Sequence, residues 1–570
     1  MARRPPPQNG SRFDRHMSKL TLRLIGGILL TAGLLVPSAA WIPLLRGSAP
    51  PLTNELIQGG FLFRIALCLL GSFIAALSLL SPRQPRPASS SQPATTPATR
   101  WMIGLLLAAA FGIRLYQLGS GLWLDEILTF VNYARLSFGE NITTYSNENQ
   151  HFLYSLMAHA CFLVFGETAW ALRLPAVIFG VGSIWALYLL GKYAAGAREG
   201  LFAAALFAFS YHHVWFSQNA RGYSGLLFWT ILSSLFFLRA IDEDRRDLWS
   251  AYAIAVTLGV YTHITMAFVI IGQLLTYAWI LYSRRREDWP SRWDGFIFGF
   301  CLGGLLTFQL HALVFPQIRS GMARTVSVVD AWKRPLWALF EIARGLGENF
   351  AGTIVAVAAL TVFGAGLYSY ARKRPALLSL LFLPPLIGAA FVLNAGHHIW
   401  PRFFFFAFGF GALVVVRGAM VMEEWAAAAG WRPRFSLGSI LCGLLVLVSA
   451  SSVPFAFGPK QDYGGALSYL EAQQRPGDTV VTAGLTTFTY HTLYQTGWKS
   501  VESPSELAAI RSQSRRTFVV YTLKPVLDSM YPGVASMLDR EFKIVKQFRG
   551  TLQSGTVTVC MAERDPGQGL

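Results

Sequence analysis

Asp125 and Glu126 are adjacent carboxylates that follow Gly121-Leu122-Trp123-Leu124, directly after an apolar run. A charge at bilayer depth is costly, so acids set against a spanning helix are usually there for a task. With the topology that the basic loops favour, the loops sharing their face present Glu148, His151, His212, His213, Asn219, Arg221, Tyr223, Tyr261 and His263. The same face carries Arg319, Arg324, Lys333, Arg334, His397, His398 and Arg402. Cationic and imidazole groups around a carboxylate pair suit an anionic substrate such as a phosphate. A cell supplies no ATP or nucleotide sugar on its outside, so an activated substrate would have to arrive there in the membrane.

Membrane helices must position these groups. The chain has 570 residues, 53% hydrophobic and 14% charged, with mean hydropathy +0.42. Soluble proteins carry about 25% charged residues. Apolar runs of about 20 residues, each able to span a bilayer, recur as far as position 456. The fold class expected is an α-helical polytopic membrane protein. The net charge of +18 fits basic loops that set orientation, and no nucleic-acid partner is expected. Cys68, Cys161, Cys301, Cys442 and Cys560 are scattered and suggest neither a disulfide framework nor a metal site.

Arg3, Arg4, Arg12, Arg15 and Lys19 precede an apolar run at 21–45 that is too long for a cleaved signal, which makes it a retained first helix. With a cytoplasmic N-terminus, 21–45 and 59–81 form a hairpin, followed by a Pro/Ser/Thr-rich linker at 82–100. Helix 101–118 crosses outward and delivers Asp125-Glu126. Residues 151–167 are apolar enough to cross. If they lie along the surface instead, Lys192/Arg198, Arg239/Arg245/Arg246, Arg284–Arg286, Arg372–Arg374 and Arg432/Arg434 all become cytoplasmic. The positive-inside rule favours the surface position. Further crossings at 169–191, 199–217, 222–240, 248–262, 264–282, 295–315, 350–371, 376–394, 402–420 and 436–456 give about thirteen spans. Arg64 and Arg114 are the charges noted within them.

The composition changes near Pro459. Gly464–Gln474 reads as a helix and Pro476-Gly477-Asp478 as a turn; Thr479–Ala483, Thr517–Thr522 and Thr556–Met561 read as strands, with helices near 504–513 and 525–538. Three regions result: 1–100 with the hairpin and linker, 101–456 as the membrane domain with a first outer loop at 119–168, and 457–570 as a small α/β domain outside.

LWLDEI at 122–127, QHFLYSL at 150–156 and ETAWALRLPAVIFGVGSIWALYLLGKYAAGAREG at 167–200 are followed by LFAAALFAFSYHHVWFSQNARGYSGLLF at 201–228 and YTHI at 261–264. In this order and spacing they resemble the GT-C membrane glycosyltransferases, in the branch of protein O-mannosyltransferases and lipid A aminoarabinose transferases. The tail KQDYGGALSYLEAQQRPGDTVV at 460–481 is similar to the outer C-terminal domains of that branch. Two departures stand out. His151-Phe152-Leu153 replaces the family's frequent His-Pro-Pro or Lys-Pro-Pro, and the 21–81 hairpin precedes the family core.

The resemblance implies transfer of a sugar from a polyprenyl-phosphate carrier to a hydroxyl acceptor, with inversion, on the outer face of a bacterial inner membrane. It implies Asp125 as base for the acceptor hydroxyl, with Glu126 orienting a neighbour or holding the loop. His151, Arg221, Tyr223, Tyr261, His263 and Arg402 are the implied ligands of donor phosphate and sugar. No cofactor or metal is assigned, and the partners implied are the lipid-linked donor, an unspecified hydroxyl acceptor and membrane lipids.

Plainer roles exist for the same residues. An acidic pair at a helix start can simply cap it, Arg221 can snorkel to headgroups, and His263 can mark a turn. His397-His398 lacks the further ligands a metal needs. A glycan polymerase or ligase is the alternative within the class. A transporter or flippase is the alternative outside it, disfavoured by few charges within spans and no internal repeat.

Overall fold

The computed structural model describes residues 10–48, 50–51, 53–80, 96–283, 293–324, 329, 334, 336–337, 353–396, 399–431, 434–552 and 555–564. Within the first apolar run, Pro37 lacks a backbone donor and the chain turns by 111° there. The expected single helix is therefore two, α1 (Gly10–Leu35) and α2 (Ser38–Arg46). α3 (Asn54–Leu77) packs along α1 so closely that a Cβ on Gly71 would lie 2.6 Å from Leu30 N and 2.7 Å from Gly26 O. Small residues are what allow backbones to approach in this way. Of the linker expected at 82–100, residues 82–95 lie outside the described residues and 97–100 belong to the next helix.

α4 (Pro97–Leu115) leads to three short helices, α5 (Leu124–Thr129), α6 (Phe138–Thr143) and α7 (Phe152–Phe165), and then to α8 (Ala169–Ala195). Arg173, in the second turn of α8, donates to the carbonyls of Leu118, Ser120 and Gly121 at 2.8–2.9 Å. The start of α8 therefore lies beside the end of α4, and segment 119–168 leaves and rejoins the bundle at the same end. α7 has 14 residues and a length of about 21 Å, short of the roughly 30 Å of a hydrocarbon core. The hairpin reaches this end too. Arg46 of α2 lies 3.3 Å from Thr143 Oγ1 in α6, and Ser320 donates to Glu55 of α3 at 2.6 Å.

α9 (Ala197–Ala208), α10 (Tyr211–Ser217), α11 (Tyr223–Glu243), α12 (Arg246–Thr262) and α13 (Met266–Ser283) continue the bundle. Basic clusters meet acids at the end opposite α5. Arg374 lies 3.3 Å from Asp242, Arg246 2.8 Å from Asp294 and Arg198 3.8 Å from Glu423. Arg284–Arg286 and Arg432 lie outside the described residues. Between the ends, Trp249, Phe237, Tyr252 and Tyr277 form an aromatic core. The buried amide of Gln273 beside it is satisfied by Tyr252, Ser233 and Ser234.

Among the described residues, eight helices are long and apolar enough to cross a membrane, or ten if each of two bent pairs is one span. Three expected spans make up the difference from thirteen. The 199–217 run breaks into α9 and α10, α12 has only 17 residues, and 350–371 begins outside the described residues. The charges within spans also exceed Arg64 and Arg114. Arg173 is buried in α8, and Arg417 pairs with Glu199 at 2.7 Å inside the 401–428 span.

The C-terminal region folds as a five-stranded sheet in the order β2-β1-β3-β5-β4. β1 (Thr479–Ala483) runs parallel to β2 (Lys499–Val501) and β3 (Arg516–Tyr521). β5 (Val557–Glu563) is antiparallel to β3 and to β4 (Lys543–Phe548). β2 is too short, and β4 (KIVKQF) too charged, to stand out in sequence. The C-terminal region packs onto α5 and α7 through Tyr463, Leu470, Tyr490 and the strand residue Phe518, which share one apolar cluster with Leu124, Ile127 and Phe162.

Candidate active site

α5 begins where Trp123 holds an extended backbone, with φ −98° and ψ 169°, and it puts both carboxylates in its first turn, where the helix dipole favours them. The two side chains then part. Glu126 is fully buried and receives Arg173 as a fork, Nε to Oε1 at 2.8 Å and Nη2 to Oε2 at 2.6 Å. Ala220 N–H donates to the same carboxylate at 2.8 Å, and Trp123 N–H at 3.4 Å. Burial pushes this carboxyl up, but Arg173 and Lys460 outweigh it and leave its pKa below the usual glutamate value. Glu126 is a saturated clamp between α5, α8 and the 218–221 turn, with both oxygens engaged by N–H donors.

Asp125 faces the other way. Its Oδ2 lies 3.2 Å from Arg402 Nη1 and 3.7 Å from Arg221 Nη1, and the carboxylate keeps 15% of its surface exposed. Arg221 is 4% exposed. Among the described residues, Arg221 Nε and Nη1 and Arg402 Nε are buried without a hydrogen-bond partner. Guanidinium N–H groups in that state are expensive unless an acceptor arrives. Arg402 is flanked by the rings of Trp400 and Trp123, 5.1 and 5.9 Å from its Cζ.

Two imidazoles line the same space. His151 precedes α7 and stacks on His263 at 4.6 Å, and Tyr223 packs 4.9 Å from His263. Burial first, then Arg221 and Arg402, pushes His263 down to about 3. Burial, Arg221, His263 and Arg402 hold His151 well below the usual imidazole value. Both rings are therefore neutral near pH 7. His263 Nδ1 accepts from Thr265 N–H at 3.3 Å, which leaves Nε2 as its donor. The Thr262 carbonyl bonds the His151 ring, and His151 Nε2 is buried with no partner among the described residues. Gly222 lets these parts meet, since a Cβ there would sit 2.5 Å from Thr262 O and 3.1 Å from His151 Cγ.

Tyr261 is set apart from this group. Its ring stacks on Phe152 at 5.2 Å and meets His311 edge-on, in an apolar cluster with Val314 and Ile318. His213 is buried between Arg114 and Ser183, at 2.6 and 2.7 Å, and His212 packs on Tyr211. Asn219 accepts from Trp123 Nε1 at 3.1 Å. Glu148 is exposed and acts on Arg402 electrostatically. Arg319 and Arg334 are exposed. Arg324's side chain, Lys333, His397 and His398 lie outside the described residues. Among the described residues, no three His, Cys, Asp or Glu side chains converge as metal ligands would.

Arg173, Lys460 and Gln461 are the residues sequence reading missed. Arg173 had a signal, a charge well inside an otherwise apolar stretch of helix. Lys460 Nζ donates to the Gln218 carbonyl at 2.9 Å, and Gln461 Oε1 accepts from Leu124 N–H at 3.0 Å. Nothing local to either residue announces those contacts.

Residues 149–306 match the family model described as dolichyl-phosphate-mannose-protein mannosyltransferase. That stretch holds His151, Arg173, Arg221, Tyr223 and His263, while Asp125 and Arg402 flank it. Over that stretch the chain is similar to a family of sugar transferases. Among solved structures it is similar to ArnT from Cupriavidus metallidurans bound to undecaprenyl phosphate, at 14% identity over 83% of this chain and 99% of that one, TM-score 0.38. It is similar to the oligosaccharyltransferase of Archaeoglobus fulgidus tethered with an acceptor peptide, at 12% identity over 82% and 74%, TM-score 0.46. The arabinosyltransferase EmbB of Mycobacterium smegmatis aligns at 14% identity over 73% and 42%, TM-score 0.38. No curated protein matches the chain.

Proposed function

We propose that this protein is an inverting glycosyltransferase that takes its sugar from a polyprenyl phosphate and passes it to a hydroxyl acceptor on the outer face of a bacterial inner membrane. In this reading the N-terminus is cytoplasmic and the sheet domain periplasmic. The observation that carries it is the Arg221–Asp125–Arg402 cluster, with buried guanidinium N–H groups awaiting an acceptor.

Charge counting favours this donor. Two guanidiniums and one carboxylate leave a surplus of one positive charge, which matches the single negative charge of a sugar–phosphate–lipid diester. Asp125 takes the acceptor's hydroxyl proton as that oxygen bonds to the anomeric carbon. The carbon–phosphate oxygen bond breaks on the opposite face, and its electron pair leaves with the lipid phosphate. The departing monoester gains a second charge as Asp125 loses its own, so both arginines are released to the phosphate when it needs them. This is stabilisation of charge that develops only during transfer. His263 Nε2–H can donate to phosphate or sugar, and His151 Nε2 can accept from a sugar hydroxyl. Glu126 holds the loop.

The test is transfer or hydrolysis by the purified full chain with a panel of polyprenyl-phosphate sugars, wild type against Asp125→Asn. Turnover lost in the variant supports the reading and names the donor. Turnover that survives Asp125→Asn removes Asp125 from the chemistry and favours a glycan polymerase or ligase. No turnover with any donor, in folded protein, points to a transporter.

A further inference from the structure

The five-stranded domain is joined to the bundle by a stem, Gly458–Asp462, that does not stay at the surface. Lys460 and Gln461 are 5% and 2% exposed. Lys460 Nζ reaches the Gln218 carbonyl and lies 5.2 Å from the Trp215 ring. Gln461 Oε1 takes Leu124 N–H, one residue before Asp125, while its Nε2 donates to Thr522 Oγ1 at 3.2 Å, just beyond β3. The β4–β5 connection grips the stem from behind, with Thr551 N–H on the Pro459 carbonyl at 2.8 Å and Leu552 N–H on the Lys460 carbonyl at 3.1 Å. Gly550 packs so tightly there that a Cβ would lie 2.1 Å from Lys460 O. Thr551 Oγ1 also accepts from Trp215 Nε1 at 2.8 Å.

Two strips of the membrane domain are thus held from one side. The first is 123–126, which carries Asp125. The second is 215–221, in which Trp215 and Gln218 meet the stem, Ala220 meets Glu126 and Arg221 meets Asp125. We propose that Lys460 and Gln461 are positioning residues, through which the C-terminal domain sets the separation of Asp125 and Arg221. The proposal rests on the reading of Asp125 and Arg221 given above. The charged groups facing the Lys460 ammonium are Glu126 and Arg173, and burial lowers that ammonium to about 7 against the pull of Glu126.

The experiment uses the full chain in lipid nanodiscs, with turnover measured on the donor identified for wild type. The variants are Gln461→Met, Lys460→Met and Lys460→Arg, with Lys546→Met on exposed β4 as control. Stoichiometric binding of undecaprenyl phosphate normalises the active fraction, so a loss of folded protein is not read as a loss of rate. Gln461→Met is expected to lower kcat by about tenfold to a hundredfold, the range for small misplacements of a catalytic group. Its donor KM should stay within about threefold, because the arginines remain. Lys460→Met should lose the same order of rate together with any inflection near pH 7, and Lys460→Arg should restore rate without that inflection. If Gln461→Met fails to fold, Gln461→Asn keeps the amide but shortens its reach, and the same direction is expected. The proposal is overturned if folded variants keep kcat within about twofold of wild type while Asp125→Asn is inactive. Absence of turnover in wild type overturns the functional reading instead.

Discussion

Glu126→Gln isolates the clamp from the chemistry. The carboxylate accepts four N–H groups, at 2.8, 2.6, 2.8 and 3.4 Å, from Arg173 (twice), Ala220 and Trp123. An amide of the same shape offers one oxygen, enough for Arg173 Nε and Ala220 N–H. Its NH2 then opposes Arg173 Nη2 and Trp123 N–H, donor against donor. Breaking a buried pair costs about 3–5 kcal/mol. Arg173 keeps its carbonyl partners at 118, 120 and 121, so the lower end, about 3 kcal/mol, is the expected loss. If it falls on local opening, amide exchange at Ala220 and Ile127 should quicken by about a hundredfold at 1.36 kcal/mol per decade. Exchange mass spectrometry of 119–129 and 216–222 in detergent reads this directly. Arg173→Gln should cost a similar amount, and the double variant less than the sum, with a coupling of about 2 kcal/mol. Protection within about threefold of wild type in Glu126→Gln, or strictly additive singles, would refute the clamp. Since its folded pKa is depressed, Glu126 contributes stability above the ordinary glutamate range, and the contribution is lost as pH falls below it.

Arg221→Lys and Arg402→Lys keep charge but lose the planar fork, and under the proposed function each should weaken binding of a polyprenyl phosphate by about tenfold, measured by titration in nanodiscs. His151 and His263 stay neutral when folded, while their unfolded forms protonate near pH 6.5. Unfolded chains therefore bind more protons below that pH, and the thermal midpoint should fall from pH 6.5 towards 4, less steeply in His263→Phe. Gly222→Ala places a methyl 2.5 Å from Thr262 O and should displace His151, lowering turnover more than it lowers the unfolding midpoint.

The polar face could be read from sequence because its members sit in short motifs at helix ends: Asp125 after an apolar helix, Arg221 and Tyr223 before another, His263 between two. β1 is found at Thr479–Ala483, as its run of β-branched residues predicted. Tyr261 shares the YTHI motif with His263, yet it stands two positions earlier, on α12, and turns its ring to Phe152. The division of labour between Asp125 and Glu126 was invisible, since it depends on which face of one helical turn meets Arg173. The stem was invisible for a stronger reason. Gln461 meets Leu124 across 337 residues, and no periodicity encodes such a pairing.

That separation has a consequence for synthesis. Arg173 reaches Glu126 after only 47 residues, so the clamp can close while the chain is still short. At about 5–20 residues per second, Leu124 waits roughly 17–70 s for Gln461, and Thr551 follows later still. A nascent chain already threaded into the membrane would hold its acid and its arginines in loose register through that interval. Under the proposed function and the positioning proposed for the stem, a chain cut short before its last strands would meet its donor without being able to use it.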